Sequence, residues 1–185
     1  MSMDFLLALW LPILLSAVVL FFVSALAWMA LPHHRADYGK LPQEDAVIAQ
    51  LRQFNVPPGR YIFPHSGTHQ NAQDPEYQRK FREGPVGTVT VFGPVNMGVN
   101  MVQTFVFFLL SSTMLAYLAW LALDGQPASF LRVFRLVGTA GVLTYTCAAI
   151  PNDIWFKRPL WTNLIDGVVY GLISGCLFAL CWPAG

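Results

Sequence analysis

Four apolar stretches, at about 5–31, 101–123, 130–150 and 161–182, limit what this chain can become more than any other feature. Crossing the hydrocarbon of a bilayer takes roughly 20 helical residues, so each stretch is long enough to span. Inside hydrocarbon every backbone N–H and C=O must be satisfied within the protein, which leaves helices or closed barrels. The alternation of a barrel strand is absent, so the stretches read as helices. Composition agrees: 11% of the 185 residues are charged, against about a quarter in soluble domains. The first stretch has Asp4 as its only early charge and is followed by His33, His34 and Arg35. It lacks a basic leader and is about twice a secretory core in length, so it reads as an uncleaved anchor with a translocated N-terminus.

The expected architecture is an all-α membrane protein. Four transmembrane helices (1–31, 99–124, 130–150 and 160–183) form a bundle, and one extramembrane loop of about 65 residues (32–98) holds a small helix and a short β-hairpin. Seven of the 11 basic and six of the 10 acidic residues fall in that loop. Pro42, then Glu44 and Asp45, open a helix that Val56-Pro57-Pro58-Gly59 stops. Segments 60–63 and 88–92 are β-branched and aromatic between Gly and Pro breakers, as strands are. Asp74 before Pro75 has the form of a helix cap. Lys157 and Arg158 join the loop side, leaving Arg132 and Arg135 opposite. By the positive-inside rule the loop is cytoplasmic and both termini are outside. The net charge is +1 and the loop's bases are interspersed with acids, so no nucleic-acid footprint exists.

The last stretch is the most specific. Gly167, Gly171 and Gly175 recur every fourth residue, a glycine zipper that admits a close helix neighbour; Gly138 and Gly141 in the third stretch are small enough to meet it. Beside the glycines runs a polar row, Asp166, Tyr170 and Ser174. A carboxylate within an apolar span is costly and faces protein or water. Alternating helix direction places Asp166 and Asn163, Asn100 and Gln103, and Asp153 at similar depth on the loop side. Together they form a candidate ligand- or ion-binding set. The competing assignment makes Asp166 an interfacial carboxylate paired with Lys157 or Arg158, and the amides interhelical glue.

Among the histidines, His65 and His69 are four residues apart, as in a helical metal pair, and adding His33, His34 or Asp74 would complete a tetrahedral zinc site. Met97 and Met101 form a Cu(I)-type pair. A histidine can also ligate haem, although the attachment motif C-x-x-C-H is absent. Cys147, Cys176 and Cys181 make no C-x-x-C pair and read as packing residues. No nucleophile elbow, P-loop, H-E-x-x-H or dinucleotide fingerprint occurs, which favours a non-enzymatic role.

Leu31-Pro32-His33-His34, Gly84-Pro85-Val86-Gly87, Val133-Phe134-Arg135-Leu136-Val137-Gly138-Thr139-Ala140 and the segment 150–159 with Asp166-Gly167 resemble a family of bacterial inner-membrane proteins described only as hypothetical. The resemblance covers most of the chain. It implies a bacterial inner membrane and no particular activity.

Three function classes follow. The first is an accessory or scaffold subunit, a homo-oligomer or part of a larger membrane complex, packing through its small-residue helix face. The second is a small transporter or proton/ion pathway centred on Asp166. The third is a metal- or quinone-binding redox module using loop and interfacial histidines. The expected surroundings are the lipid bilayer.

Overall fold

The computed structural model describes residues 4–68 and 71–183. In chain order its elements are α1 (Asp4–Met29), α2 (Glu44–Gln53), β1 (Gly59–Phe63), α3 (Pro75–Glu83), β2 (Gly87–Val91), α4 (Met97–Ala122), α5 (Phe130–Val142), α6 (Ile150–Trp155) and α7 (Leu160–Leu180). Among the described residues four helices are long and apolar enough to cross a membrane: α1, α4, the composite Phe130–Trp155, and α7. The composite joins α5 to α6 through a π-helical turn, Leu143–Cys147. It runs past residue 150, because Pro151 sits in the first turn of α6, where a missing N–H costs nothing. Contacts divide the chain into a small unit, Gly39–Asn96, and a helical unit made from the segments on either side.

In the small unit β1 and β2 pair antiparallel, with Gly59 opposite Val91 and Phe63 opposite Gly87. The connection between them carries α3. Asp74 caps that helix by accepting from the Glu76 N–H at 3.4 Å, and Pro75 occupies its first position. Ion pairs Lys80–Glu76 and Arg79–Glu83 lie on its exposed face.

In the helical unit, α1 packs along α4 and α5 along α7, and α1 also meets α7. The buried residues of α1, Leu9, Pro12, Ile13, Ser16, Ala17 and Leu20, recur at spacings of three and four, which is one face of a helix. Those of α4 do the same, from Phe108 through Ser111, Ser112, Leu115 and Ala116 to Ala119. Leu7, Phe22, Leu110, Leu118 and Leu172 face outward and exposed. Such an apolar exterior suits acyl chains rather than water. Pro12 removes an intrahelical hydrogen bond and crowds the preceding turn. The cost appears at Leu9, whose backbone (φ −113°, ψ 15°) leaves helical values and kinks α1.

The glycine-bearing face of α7 is covered by α5 and the π turn of the same chain. A Cβ on Gly175 would stand 2.9 Å from Gly138 Cα and 3.0 Å from Phe134 O; one on Gly171 would stand 2.9 Å from Gly141 C; one on Gly167, 2.8 Å from Tyr145 O. These neighbours are backbone atoms and cannot swing aside. Gly171→Ala is therefore expected to destabilise the protein by roughly 1–3 kcal/mol. Gly39→Ala, where a Cβ meets nothing within 4 Å, is expected to change little. Thermal unfolding of both variants in mild detergent checks the difference.

Candidate functional site

After α1 the chain enters a 3₁₀ turn, Pro32–His34, with Pro32 at its first position. The fixed φ of proline turns the backbone at once, so His33 and His34 lie side by side with ring centroids 4.2 Å apart. Asp166 stands six residues beyond the start of α7, about 9 Å along its axis. The packing of α1 on α7 brings the two places together. His33 Nε2 lies 2.9 Å from Asp166 Oδ1, and His34 Nε2 lies 2.9 Å from Asp166 Oδ2. Tyr170, one turn further along α7, donates its hydroxyl to Asp166 Oδ2 at 3.3 Å.

A second layer holds the histidines. His34 Nδ1 lies 2.5 Å from Asp37 Oδ2, and the Thr162 hydroxyl donates to the same oxygen at 3.2 Å. Trp28, in the last turn of α1, stacks on His34 with centroids 3.9 Å apart and planes 9° from parallel. The His34 and Asp37 side chains are each 4% exposed, Asp166 13% and His33 25%. The cluster is thus nearly closed, with His33 on its open side.

The arrangement poses a proton question. A neutral imidazole carries one N–H, yet each ring nitrogen of His34 faces a carboxylate oxygen. The two contacts can both be hydrogen bonds only when a second proton is shared between the ring and one of the carboxylates; otherwise one nitrogen gives its lone pair to a cation. Burial by itself lowers the His34 pKa. The hydrogen bonds and charges of Asp37 and Asp166 outweigh it, and the net value is raised above the ordinary 6.5. His33, His34 and Asp166 each offer a ligand atom, and these atoms all lie within 4.8 Å of one another. For four-coordinate zinc, with bonds of ~2.0–2.1 Å, ligand atoms stand ~3.3 Å apart. Side-chain adjustments of about an ångström reach that geometry.

The other residues singled out from the sequence are placed differently. Asp153 is buried and accepts from Asn163 Nδ2 at 2.8 Å, so these two pair with one another at the α6–α7 corner. Arg158 approaches Asp153, with Nε at 3.9 Å from Oδ1. Asp166 takes the two histidines instead of Lys157 or Arg158. Asn100 and Gln103 do not join the cluster. They are exposed in the first two turns of α4, because the buried seam of that helix runs through Phe108, Ser112, Leu115 and Ala119, and Gln103 falls on the opposite side. Met97 and Met101 are exposed as well. His65 belongs to the small unit, in a polar groove with Ser66, Asn71, Asp74 and Glu76, and His69 lies outside the described residues. Among the described residues, the set that forms joins His33 and His34 to Asp166. Gly138, Gly141, Gly167, Gly171 and Gly175 line the α5–α7 contact. Sequence reading passed over Asp37 and Trp28. The signal available was spacing: Asp37 is three residues past His34 and Trp28 is six before it, both within reach across a single tight turn.

No protein-family model, curated protein sequence or solved structure matches the chain. The geometry alone carries the functional argument.

In the metal-free protein, the hydrogen bonds of His34 tie the end of α1 to α7 and favour its protonated form. A histidine whose folded pKa is raised contributes stability that is complete below the unfolded value, near 6.5, and lost as pH climbs through the folded one. The expected outcome is a melting temperature, measured with a chelator present, that falls as pH rises through that window. In His34→Gln the decline should be absent.

Proposed function

We propose that this chain is a multi-pass integral membrane protein that holds a divalent transition-metal ion at one end of a four-helix bundle, through His33 Nε2, His34 Nε2 and the Asp166 carboxylate. One observation carries the reading: three ligand atoms of metal-binding type, from two helices far apart in sequence, converge within 4.8 Å. The second layer supports it. A histidine that binds metal commonly donates its other ring N–H to a carboxylate, which fixes the tautomer and aims the free nitrogen. Asp37 stands at that position on His34 Nδ1. Charge agrees too: a dication balances the carboxylates of Asp37 and Asp166, the favourable sum for a site with little water. Imidazole and carboxylate donors suit zinc or iron(II), and the absence of thiolate or thioether at the site disfavours copper(I). Three protein ligands leave room for water or a substrate atom, as in sites that do chemistry rather than only brace a fold. Following the excess of basic residues, the bundle sits in a bacterial inner membrane with Gly39–Asn96 on the cytoplasmic side.

The competing classes have less support. A scaffold that packs through its glycine face would need that face free, and α5 occupies it. A proton or ion pathway would need titratable groups deeper in the interior. Among the described residues the buried polar side chains there are hydroxyls: those of Ser16, Ser111, Ser112, Thr146 and Ser174, with the phenols of Tyr145 and Tyr170. The tightly packed Leu9, Leu115, Val137 and Phe178 lie in the same core.

Elemental analysis of protein purified in mild detergent without chelator is expected to find close to one zinc or iron per chain. Asp166→Asn and His34→Ala should lose the ion, and Asp37→Asn should weaken its binding by about 10–100-fold, while His65→Ala retains it. Finding no metal in wild-type protein, even after incubation with zinc or anaerobic iron(II), would refute the assignment and leave the His–Asp cluster as a structural tie between the end of α1 and α7.

A further inference from the structure

At the end of the helical unit away from the 3₁₀ turn, two exposed arginines need an explanation. Arg132 and Arg135 lie in the first two turns of α5, and among the described residues neither has an ion-pair partner. A cation near a helix N-terminus opposes the helix dipole instead of complementing it. Two such cations at the start of a helix apolar enough to span a membrane favour an anion at headgroup level. The surface beside them is shaped for one with a long apolar part.

A groove of about 690 Å³ runs between the end of α4 and α5. It is lined by Leu123, Ser129, Leu131, Leu136 and Ala140, with Arg132 and Arg135 on its rim. A second groove, of about 300 Å³, lies on the other flank of α5 against α7, between Phe134, Gly138, Val142 and Leu172. Arg135, Thr139 and Leu143 line both. They stand four residues apart, so they form one ridge along α5 with a groove on either side. The ridge begins with a guanidinium about 8 Å from the helix start and descends about 12 Å, through a hydroxyl, to a leucine. Polarity therefore falls along the ridge in the direction that leads from headgroup level into hydrocarbon.

We propose that this ridge binds one anionic diacyl phospholipid, its phosphate on Arg135 and Arg132 and its two acyl chains in the grooves on either side of Thr139 and Leu143. Guanidinium and phosphate match in charge and in hydrogen-bond geometry. Arginine stems lie along apolar surface while their heads reach the interface. Two grooves sharing one polar head account for a two-chain lipid where a free anion would account for the arginines alone. The site is separate from the histidine cluster, in residues and in the end of the helices it occupies, and stands or falls independently of it.

The test uses the full-length protein, delipidated in mild detergent and titrated with phosphatidylglycerol or phosphatidylcholine, with bound lipid counted by native mass spectrometry. Phosphatidylglycerol is expected to bind with about tenfold or greater preference, the size of one charge-assisted hydrogen-bonding contact. Arg135→Gln should remove most of that preference and Arg135→Lys part of it. Thr139→Trp, which fills the grooves without touching charge, should reduce binding of the lipid while leaving the melting temperature of the lipid-free protein near wild type. Equal binding of the two lipids, or phosphatidylglycerol binding unaffected by Arg135→Gln, would overturn the proposal. So would displacement of phosphatidylglycerol by millimolar inorganic phosphate, which would reduce the site to a simple anion site. Should Thr139→Trp prove unstable, Leu143→Trp places the same obstruction at the apolar end of the ridge and is read in the same way.

Discussion

Everything at the His–Asp end of this protein depends on how Asp166 is partnered. A carboxylate more than a turn inside an apolar helix is tolerated only when it has partners, and here it has three: two imidazoles and a phenol. The imidazoles come from the far side of the sequence, directly after α1. The electrostatic need of one residue in the last helix thereby fixes where the first helix must end. The hydrophobic effect does little to choose among helix arrangements in lipid, because acyl chains are as apolar as the side chains they meet. Polar pairs and close backbone approach take over that selection, and this chain uses both. The His–Asp cluster joins α1 to α7, and the glycines join α5 to α7.

The two devices also explain each other. Helix α7 can lie against α5 at backbone contact because Gly167, Gly171 and Gly175 carry no side chain on that face. The adjoining row, Asp166, Tyr170 and Ser174, is then turned toward α1 and the interior. Phe108 and Tyr145 pack around Tyr170 with centroids 5.7 and 6.0 Å away. The phenol that supports Asp166 is thus positioned by aromatic contacts from α4 and from the π turn. The end of α1, α4, α7 and the π turn all contribute to holding one carboxylate.

What the sequence displayed and what it concealed divide along physical lines. The four long helices are legible because hydropathy is a local property, summed over a window that spans one element. The two strands were legible for a related reason: Gly and Pro punctuate β-branched runs. Asp166 was conspicuous as a charge in the wrong place. Its partners were not legible in the same way. His33 and His34 were assigned to a separate set with His65 and His69, because four histidines within one polar segment suggest one another more readily than they suggest a carboxylate more than a hundred residues away. Asn100 and Gln103 were placed with Asp166 on depth alone. Depth follows from helix direction, but the side a residue faces follows from the phase of the buried seam, and in α4 that seam is set by Ser111, Ser112, Ala116 and Ala119 against α1. Small polar and apolar residues on a uniformly apolar helix give almost no periodic signal from which to read that phase.

The kink at Leu9 divides α1 into a short arm before Pro12 and a long one that ends beside the histidines. Bilayers differ in thickness by several ångströms, and a spanning helix answers by changing its tilt. A straight α1 would carry any such tilt along its whole length to His33 and His34. Here the kink parts two arms that both keep a seat: Phe5, Leu6 and Ala8 of the short one pack on the same apolar core as Leu9 and Ile13, and Phe5 meets Tyr117 of α4 edge-on, with ring centroids 5.5 Å apart. The bend at Pro12 therefore lets α1 follow the core in two directions while its longer arm still ends beside His33 and His34.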